Sequence, residues 1–347
     1  MRGIKDFCPL LMAVIFFSCS QREPARARNV LGTLCSINAF EDGTKRLYDE
    51  AFDLLSAIEG EFSTRIETSD VSRINSQAGI SPVRAGGNVI YVLKKALFYA
   101  ELSDGDFDPT VGVLVDLWGI GTEGQGIPPQ KEIEAALPLV DWRDVRIDDE
   151  AGTVFLARKG MRLDLGGIAK GFAADCLRDL LGQRNVRRAV INLGGNVYVL
   201  GSKKDGSPWT IGIKDPCDET GSPALAVRIP GSGTVVTSGS YERFFEQDGI
   251  RYHHIINPRT GFPAESDTLS ASVIAPSSCD ADALSTIAFI QGREGFSRTL
   301  GKLGGPDETE TGCVFMEKGG RVLASANLSG KIYACKEEFS GIDFFRP

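Results

Sequence analysis

Residues 163–171 read LDLGGIAKG, and this stretch predicts a strand that turns directly into a helix. We expect the strand to end at Asp164 and the helix to begin near Ile168, because apolar residues then recur at helical spacing. The two central glycines can adopt positive φ and let a ligand approach the backbone. A helix start offers N–H groups to an anion such as phosphate, and Lys170 adds a positive charge. The alternative is a tight turn that binds nothing.

Helices are concentrated before this stretch and strands after it, which favours an α+β fold over regular βαβ alternation. Apolar spacing predicts helices at 45–62, 90–103, 131–137, 168–181 and 280–290. Predicted strands are 31–40, 145–156, 160–165, 188–200, 209–214, 224–229, 234–237, 270–275, 314–325 and 332–335, with 145–156 and 160–165 forming a hairpin.

The amino end of the chain is typical of a signal peptide. Residues 1–18 have basic residues at the start and then an apolar run that is too short for a membrane-spanning helix, which needs about 20 apolar residues. Cys19 follows a small residue, as at a bacterial lipoprotein processing site, so we predict that Cys19 carries lipid and that 19–28 is a polar tether. The alternatives are an ordinary signal cleaved a few residues later and an uncleaved anchor.

Composition excludes some classes of protein. The net charge of −8 argues against a nucleic-acid-binding surface, which would be basic. Of the 8 cysteines, none forms a C-x-x-C pair, so a zinc site is not expected. An exported protein can form disulfides, but the sequence does not determine which cysteines would pair.

Residues 281–286, ADALST, place a carboxylate and a hydroxyl on one helix face. Asp282 and Thr286 are four residues apart, and their oxygens are of the kind that Mg²⁺ binds. The alternative is that Asp282 caps the first turn of its own helix.

Residues 237–244, TSGSYERF, and 253–263, HHIINPRTGFP, contain the only two histidines. His254 stands beside a turn rich in Asn, Pro and Gly and could act as a general base near neutral pH. Arg243 and Arg259 could hold phosphate oxygens through their planar guanidinium groups.

Residues 104–121, DGDFDPTVGVLVDLWGIG, place Phe107 and Asp108 in a turn between apolar runs. Trp118 and the glycine loop after it could form the wall of a pocket for a flat ring. The alternative is a hydrophobic loop that packs on the core.

These motifs, in this order, resemble the ApbE family of FAD:protein FMN transferases, from about residue 29 to about residue 335. The resemblance is carried by LGT, SDVSRIN, FDPTVGVLVDLWGIG, DLGGIAKG, INLGGNVYVLG, WTIGIKDP, TSGSYERF, HHIINPRTGFP and ADALST. It implies one domain, 29–347, with mixed and antiparallel sheets and flanking helices. It also implies an enzyme outside the cytoplasm that uses FAD and Mg²⁺, attaches FMN to a threonine of a target protein and releases AMP.

The family's functional residues carry over to matching positions here. The backbone carbonyl of Gly167 would join Asp282 and Thr286 around Mg²⁺, with Ser285 nearby. The metal and Lys170 would stabilise charge on the phosphoryl oxygens, and His254 would take the proton of the incoming threonine. Residues expected to contact FAD are Leu31, Arg65, Phe107, Asp108, Asp164, Lys170, Arg243 and Arg259.

Two positions depart from the family pattern. Arg65 stands where many members have an aromatic residue that stacks on a ring of the cofactor, and some spirochaete members without it mainly hydrolyse FAD. Asn257 stands where an aspartate is usual, which removes a charge near His254.

Three functions therefore remain open: a transferase that modifies exported or membrane redox subunits, a Mg²⁺-dependent FAD pyrophosphatase that releases FMN and AMP, and a lipoprotein that only binds FAD. The expected location is the periplasm, with a lipid anchor in the inner membrane.

Overall fold

A nine-stranded sheet forms the middle layer of the fold, with helices on one face and a smaller sheet on the other. The computed structural model describes residues 22–218, 220–304 and 310–346. Cys19 and the predicted signal peptide lie outside the described residues.

The helices and strands of the described residues are as follows. The α-helices are α1 (Lys45–Phe62), α2 (Asp70–Ser76), α3 (Gly87–Leu102), α4 (Gly112–Trp118), α5 (Gln130–Ala136), α6 (Ala169–Gln183) and α7 (Ser278–Lys302). The strands are β1 (Arg26–Val30), β2 (Thr33–Asn38), β3 (Val83–Arg84), β4 (Val145–Asp148), β5 (Thr153–Leu156), β6 (Ala189–Leu193), β7 (Asn196–Leu200), β8 (Trp209–Lys214), β9 (Pro223–Ile229), β10 (Gly233–Gly239), β11 (Phe244–Gln247), β12 (Ile250–His253), β13 (Thr268–Ala275), β14 (Gly312–Glu317), β15 (Val322–Ser325), β16 (Ile332–Ala334) and β17 (Ile342–Phe345).

The large sheet has the strand order β1-β2-β6-β7-β10-β13-β14-β15-β17. Its neighbouring strands are antiparallel except for the parallel pair β15 and β17. Three smaller sheets have the orders β16-β9-β8, β3-β5-β4 and β11-β12. Strands and helices are therefore not in regular alternation, and the predicted α+β fold is confirmed.

Strand β14 shows how the two faces of the large sheet are covered. Cys313 and Phe315 belong to the core shared with the helices, whereas Val314 and Met316 belong to the core shared with β8, β9 and β16. This alternation is what a strand buried on both faces requires, because successive side chains point to opposite faces. No helix in the described ranges has the length and apolar character needed to cross a bilayer.

The helices form because their apolar residues recur on one side. In α1 the buried residues include Leu47, Ala51 and Leu55, and the Thr44 side chain accepts a hydrogen bond from the Leu47 N–H at the start of the helix. Helices α6 and α7 cross at Gly171, where a Cβ atom would lie 2.1 Å from the Ser278 carbonyl oxygen. The two backbones therefore touch, and only glycine fits.

Several predicted strands differ from the structure. The predicted strand 160–165 is wrong: apart from one bridge between Val111 and Arg162, this segment does not pair, and the hairpin forms within 145–156 as β4 and β5. The strand predicted at 31–40 begins two residues too early, because Leu31 and Gly32 form the turn between β1 and β2, and it ends at Asn38. Strand β1 includes residues 26–28 of the predicted tether, since the polar RAR sequence pairs along its backbone at a sheet edge.

We expect Gly171→Ala to destabilise the protein by on the order of 3 kcal/mol, the upper range for forcing extra atoms into a packed core. The control is Gly182→Ala near the end of the same helix, where an added Cβ meets nothing within 4 Å. That change should be neutral or stabilising by up to about 1 kcal/mol. Urea unfolding of the two variants measures both effects, and equal stabilities would contradict the contact at Gly171.

Candidate active site

The turn between residues 164 and 170 is closed by its own hydrogen bonds. The Asp164 carboxylate accepts from the Gly166 N–H at 2.7 Å, and Lys170 Nζ donates to the Gly166 carbonyl at 2.9 Å. Neither Gly166 nor Gly167 has positive φ, so that expectation was wrong. Gly167 is needed for space: a Cβ there would lie 3.1 Å from Phe107 Cε2 and 3.4 Å from Thr286 Oγ1.

Asp282 links α7 to this turn. The residue is 3% exposed, and Oδ2 accepts from the Gly171 N–H in the first turn of α6 at 2.9 Å. Oδ1 lies 3.7 Å from Lys170 Nζ. The alternative that Asp282 caps its own helix is wrong, because Ser277 caps α7 by accepting from the Asp280 N–H. One carboxylate oxygen is therefore fixed by α6, and the other faces the lysine.

Three hydroxyl groups lie beside Asp282. Ser285 Oγ and Thr286 Oγ1 donate to the Asp282 carbonyl at 2.9 and 3.4 Å. Ser238 Oγ, at the end of β10, lies 2.9 Å from Ser285 Oγ and 3.5 Å from Thr286 Oγ1. Ser238 was not predicted as a site residue, although its TSGSYERF motif was singled out.

This donor set suits Mg²⁺ better than a transition metal. The described residues contain no cluster of three or more His, Cys, Asp or Glu side chains that could hold a metal. Asp282 supplies a single carboxylate, the hydroxyls of Ser285 and Thr286 lie at its backbone carbonyl, and a Cβ at Gly167 would lie 3.4 Å from Thr286 Oγ1. Mg²⁺ commonly keeps several waters and needs only one or two carboxylates together with substrate phosphates. The residues present therefore fit the predicted ion.

His254 lies half-buried near Lys170 and Arg243. Burial, and after it the positive charges of Lys170 and Arg243, together lower its pKa to about 4. Its Nδ1 lies 3.3 Å from the Arg243 carbonyl oxygen, which can only accept a hydrogen bond. Nδ1 therefore carries the proton, and Nε2 of the neutral ring is left to accept one.

His253 is a structural residue by contrast. Its Nε2 lies 3.0 Å from the Ala264 carbonyl, its Nδ1 accepts from the Ile255 N–H, and its ring packs edge-on against Phe289. Burial lowers the pKa of His253 as well.

Arg243 connects this site to the amino-terminal hairpin. Its guanidinium donates to the Gly32 carbonyl at 2.9 Å, and the Gly32 N–H donates to Glu59 at 3.2 Å. Leu31 has a φ of 58° and Gly32 one of 65°, so both turn residues are left-handed. Leu31 thus lies in a turn and not, as predicted, in a strand.

Two other predicted contacts of FAD have partners within the protein. The Asp108 carboxylate accepts from the Thr110 N–H, the Thr110 hydroxyl and the Trp142 N–H, and burial raises its pKa. Arg259 donates to the Asp106 carboxylate and the Asp104 carbonyl, both at 2.6 Å. These side chains therefore shape the loops around the site.

Arg65 is exposed, and it lies close enough to Asp116 for its charge to act on that carboxyl. Burial raises the pKa of Asp116, Arg162 opposes the rise, and the charge of Asp164 adds to it. Arg65 therefore stands on the side of the site where Asp164 begins the turn.

Trp118 and Asn257 have structural roles. Trp118 is fully buried, donates to the Gly261 carbonyl at 2.7 Å and stacks on Tyr252, so the alternative of core packing is correct. The Asn257 carboxamide oxygen accepts from the Arg259 N–H at 2.9 Å, a bond that an aspartate would also make.

We expect nuclear magnetic resonance to show His254 titrating near pH 4, and Lys170→Met to raise that pKa because one repelling charge is removed. The control, Lys214→Met, removes a charge that lies over Tyr241. Because the folded pKa lies below the unfolded value, His254 should also make stability fall as the pH drops from about 6.5 towards 4. A wild-type titration near 6.5 would refute the burial of this ring.

The sequence and the fold were compared with known proteins. The model of the ApbE family matches residues 31–305. The FAD:protein FMN transferase of Treponema pallidum is 40% identical over 337 residues, which cover 92% of this chain and 91% of that protein. The FAD:protein FMN transferase of Klebsiella pneumoniae is 40% identical over 248 residues, covering 72% and 76%.

Solved structures agree with the sequence comparison. The ApbE protein of Thermotoga maritima aligns with a TM-score of 0.79 at 32% identity and covers 88% of this chain and 98% of its own. The flavin transferase ApbE of Vibrio cholerae aligns with a TM-score of 0.76 at 27% identity and covers the same shares.

Proposed function

The chain belongs to the ApbE family, and from this membership we propose that it is a Mg²⁺-dependent FAD:protein FMN transferase. The relatives from Treponema pallidum and Klebsiella pneumoniae carry that name, and the match covers 91% of the first protein and 76% of the second. The observation that carries the proposal is the position of Asp282: its buried carboxylate lies between the first turn of α6 and Lys170, and its backbone carbonyl accepts from the hydroxyl of Thr286.

Asp282, Thr286 and the carbonyl of Gly167 would hold Mg²⁺, with Ser285 beside them. When bound, Mg²⁺ supplies a Lewis acid that neutralises charge on pyrophosphate oxygens. Lys170 would add a second positive charge to the same oxygens, because its Nζ already lies 3.7 Å from Asp282 Oδ1.

His254 would act as the general base. A threonine hydroxyl of the acceptor attacks the phosphorus of the FMN half, the bond from this phosphorus to the bridging oxygen breaks, and AMP leaves with that oxygen. The hydroxyl proton passes to His254 Nε2, which is unprotonated because the pKa of the ring is about 4. The base is weak but is available throughout the neutral range.

A second candidate is hydrolysis of FAD, in which water replaces threonine. The observation that favours it is Arg65, whose side chain is exposed in the place where many family members stack an aromatic ring. Arginine can stack through its planar group but buries less apolar surface. A flavin held less firmly would leave more room for water at the phosphorus.

One incubation separates the candidates. Purified protein is given FAD and Mg²⁺ with a redox subunit carrying the acceptor threonine, or with the same subunit carrying valine there. A transferase yields covalent flavin only on the subunit that carries threonine. A pyrophosphatase releases the same amounts of free FMN and AMP with the threonine subunit as with the valine subunit. Intact FAD in every reaction would exclude both enzymes and leave a protein that only binds FAD.

The metal carboxylate is tested in the same assay. Asp282→Asn should lower turnover by about 100-fold or more, the order expected when a group that stabilises transition-state charge is removed. The control, Asp280→Asn, changes a carboxylate two residues away that pairs with Lys95 at 2.6 Å. Turnover that survives both Asp282→Asn and a chelator would rule out the proposed Mg²⁺ site.

We propose a periplasmic location with lipid on Cys19 that anchors the protein to the inner membrane, and membrane or exported redox subunits as partners. Support comes from the amino-terminal sequence, where a short apolar run precedes Cys19. Cys19→Ala should move the protein from the membrane to the soluble fraction, whereas Cys217→Ala should not. A membrane-bound Cys19→Ala protein would exclude this anchor.

A further inference from the structure

Asp175, in the second turn of α6, binds the first turn of α7. Its Oδ1 accepts from the Ser278 N–H at 3.0 Å. Its Oδ2 accepts from the Cys279 N–H at 3.0 Å and from the Ser277 hydroxyl at 3.1 Å. The N–H groups at the start of a helix have no partner within the helix, so this carboxylate satisfies two of them.

The arrangement is reciprocal. Helix α7 returns a carboxylate to α6, because Asp282 Oδ2 accepts from the Gly171 N–H. Each helix therefore places a negative charge at the positive end of the other, and both contacts are favourable for that reason. The backbones touch between them, at Gly171 and Ser278.

Both partners of this exchange are themselves held. Arg178, one turn along α6, donates to Asp175 Oδ1 at 2.9 Å. The Ser278 hydroxyl donates to Asn196 Oδ1 at 2.7 Å and lies 3.1 Å from Thr234 Oγ1. The first turn of α7 is thus fixed to α6 on one side and to the large sheet on the other.

We propose that Asp175 is a positioning residue for Asp282. Ser278 and Asp282 are one helical turn apart, so the position of the first turn decides where the Asp282 carboxylate lies. With Asp175 in place, Asp282 keeps one oxygen on Gly171 and presents the other towards Lys170. The inference rests on the proposed function, since Asp282 is the carboxylate assigned to Mg²⁺.

Asp175→Asn tests the inference with little change of shape. An amide has one acceptor oxygen, so its NH₂ group must face either the Ser278 N–H or the Cys279 N–H. We expect faster amide hydrogen exchange in peptides that cover Gly171. Calorimetric titration with Mg²⁺ in the presence of FAD should show affinity reduced by about 10-fold, the lower end of the range for residues that orient a metal ligand.

The matched control is Asp179→Asn. Asp179 is one turn further along α6, and its carboxylate accepts from Arg178 Nε at 2.8 Å. Like Asp175→Asn, the control variant removes one negative charge from α6 and one partner of Arg178. We expect wild-type exchange at Gly171 and wild-type Mg²⁺ affinity.

Asp175→Asn with wild-type exchange and wild-type affinity would overturn the inference. Equal losses of exchange protection and of Mg²⁺ affinity in Asp175→Asn and Asp179→Asn would also overturn the inference, because the effect would then come from Arg178. A wild-type protein that binds no Mg²⁺ would refute the metal part of the proposed function instead. In that case the inference is tested by amide hydrogen exchange at Gly171 alone. Faster exchange in Asp175→Asn but not in Asp179→Asn supports the positioning of Asp282.

Discussion

The contact between the backbones of Gly171 and Ser278 is the constraint on which the site depends. It brings the first turns of α6 and α7 together, so that a carboxylate from each helix reaches the amino end of the other. The turn that begins at Asp164 leads into α6, and the hydroxyls of Ser285 and Thr286 lie on α7. A site built on two helices in direct contact leaves little freedom for its side chains, as positioning of reacting groups requires.

Charge is distributed unevenly around this crossing. Lys170 and Arg243 make the substrate side positive, which suits a pyrophosphate, while Asp282 is a single buried carboxylate. Burial is the main reason that His254 stays neutral, and the same two cations act in the same direction, because a proton on the ring would add a third positive charge. The cations that suit the anion thus also favour the neutral form of the proposed base.

The sequence was sufficient where the signal was local. Helical spacing predicted α1 to its last residue, and the two motifs around Lys170 and Asp282 are in fact adjacent. Prediction from the sequence failed where the structure or role of a residue depends on a partner that is distant in the chain. Asp175 looks like an ordinary charge on a helix until α7 is placed beside it, and residues 160–165 have the apolar content of a strand but run through the core without a neighbouring strand to pair with.

The Arg243 bond to the Gly32 carbonyl joins residues 211 positions apart, and Asp282 is 111 positions from Gly171. Such closures are slow to form, because chain entropy is lost before the contact is gained. During synthesis, the chain also lacks part of the candidate active site until Thr286 has been added. Chemistry at this site therefore requires the chain through α7, and a premature stop before α7 removes it entirely, however well the preceding hairpins fold.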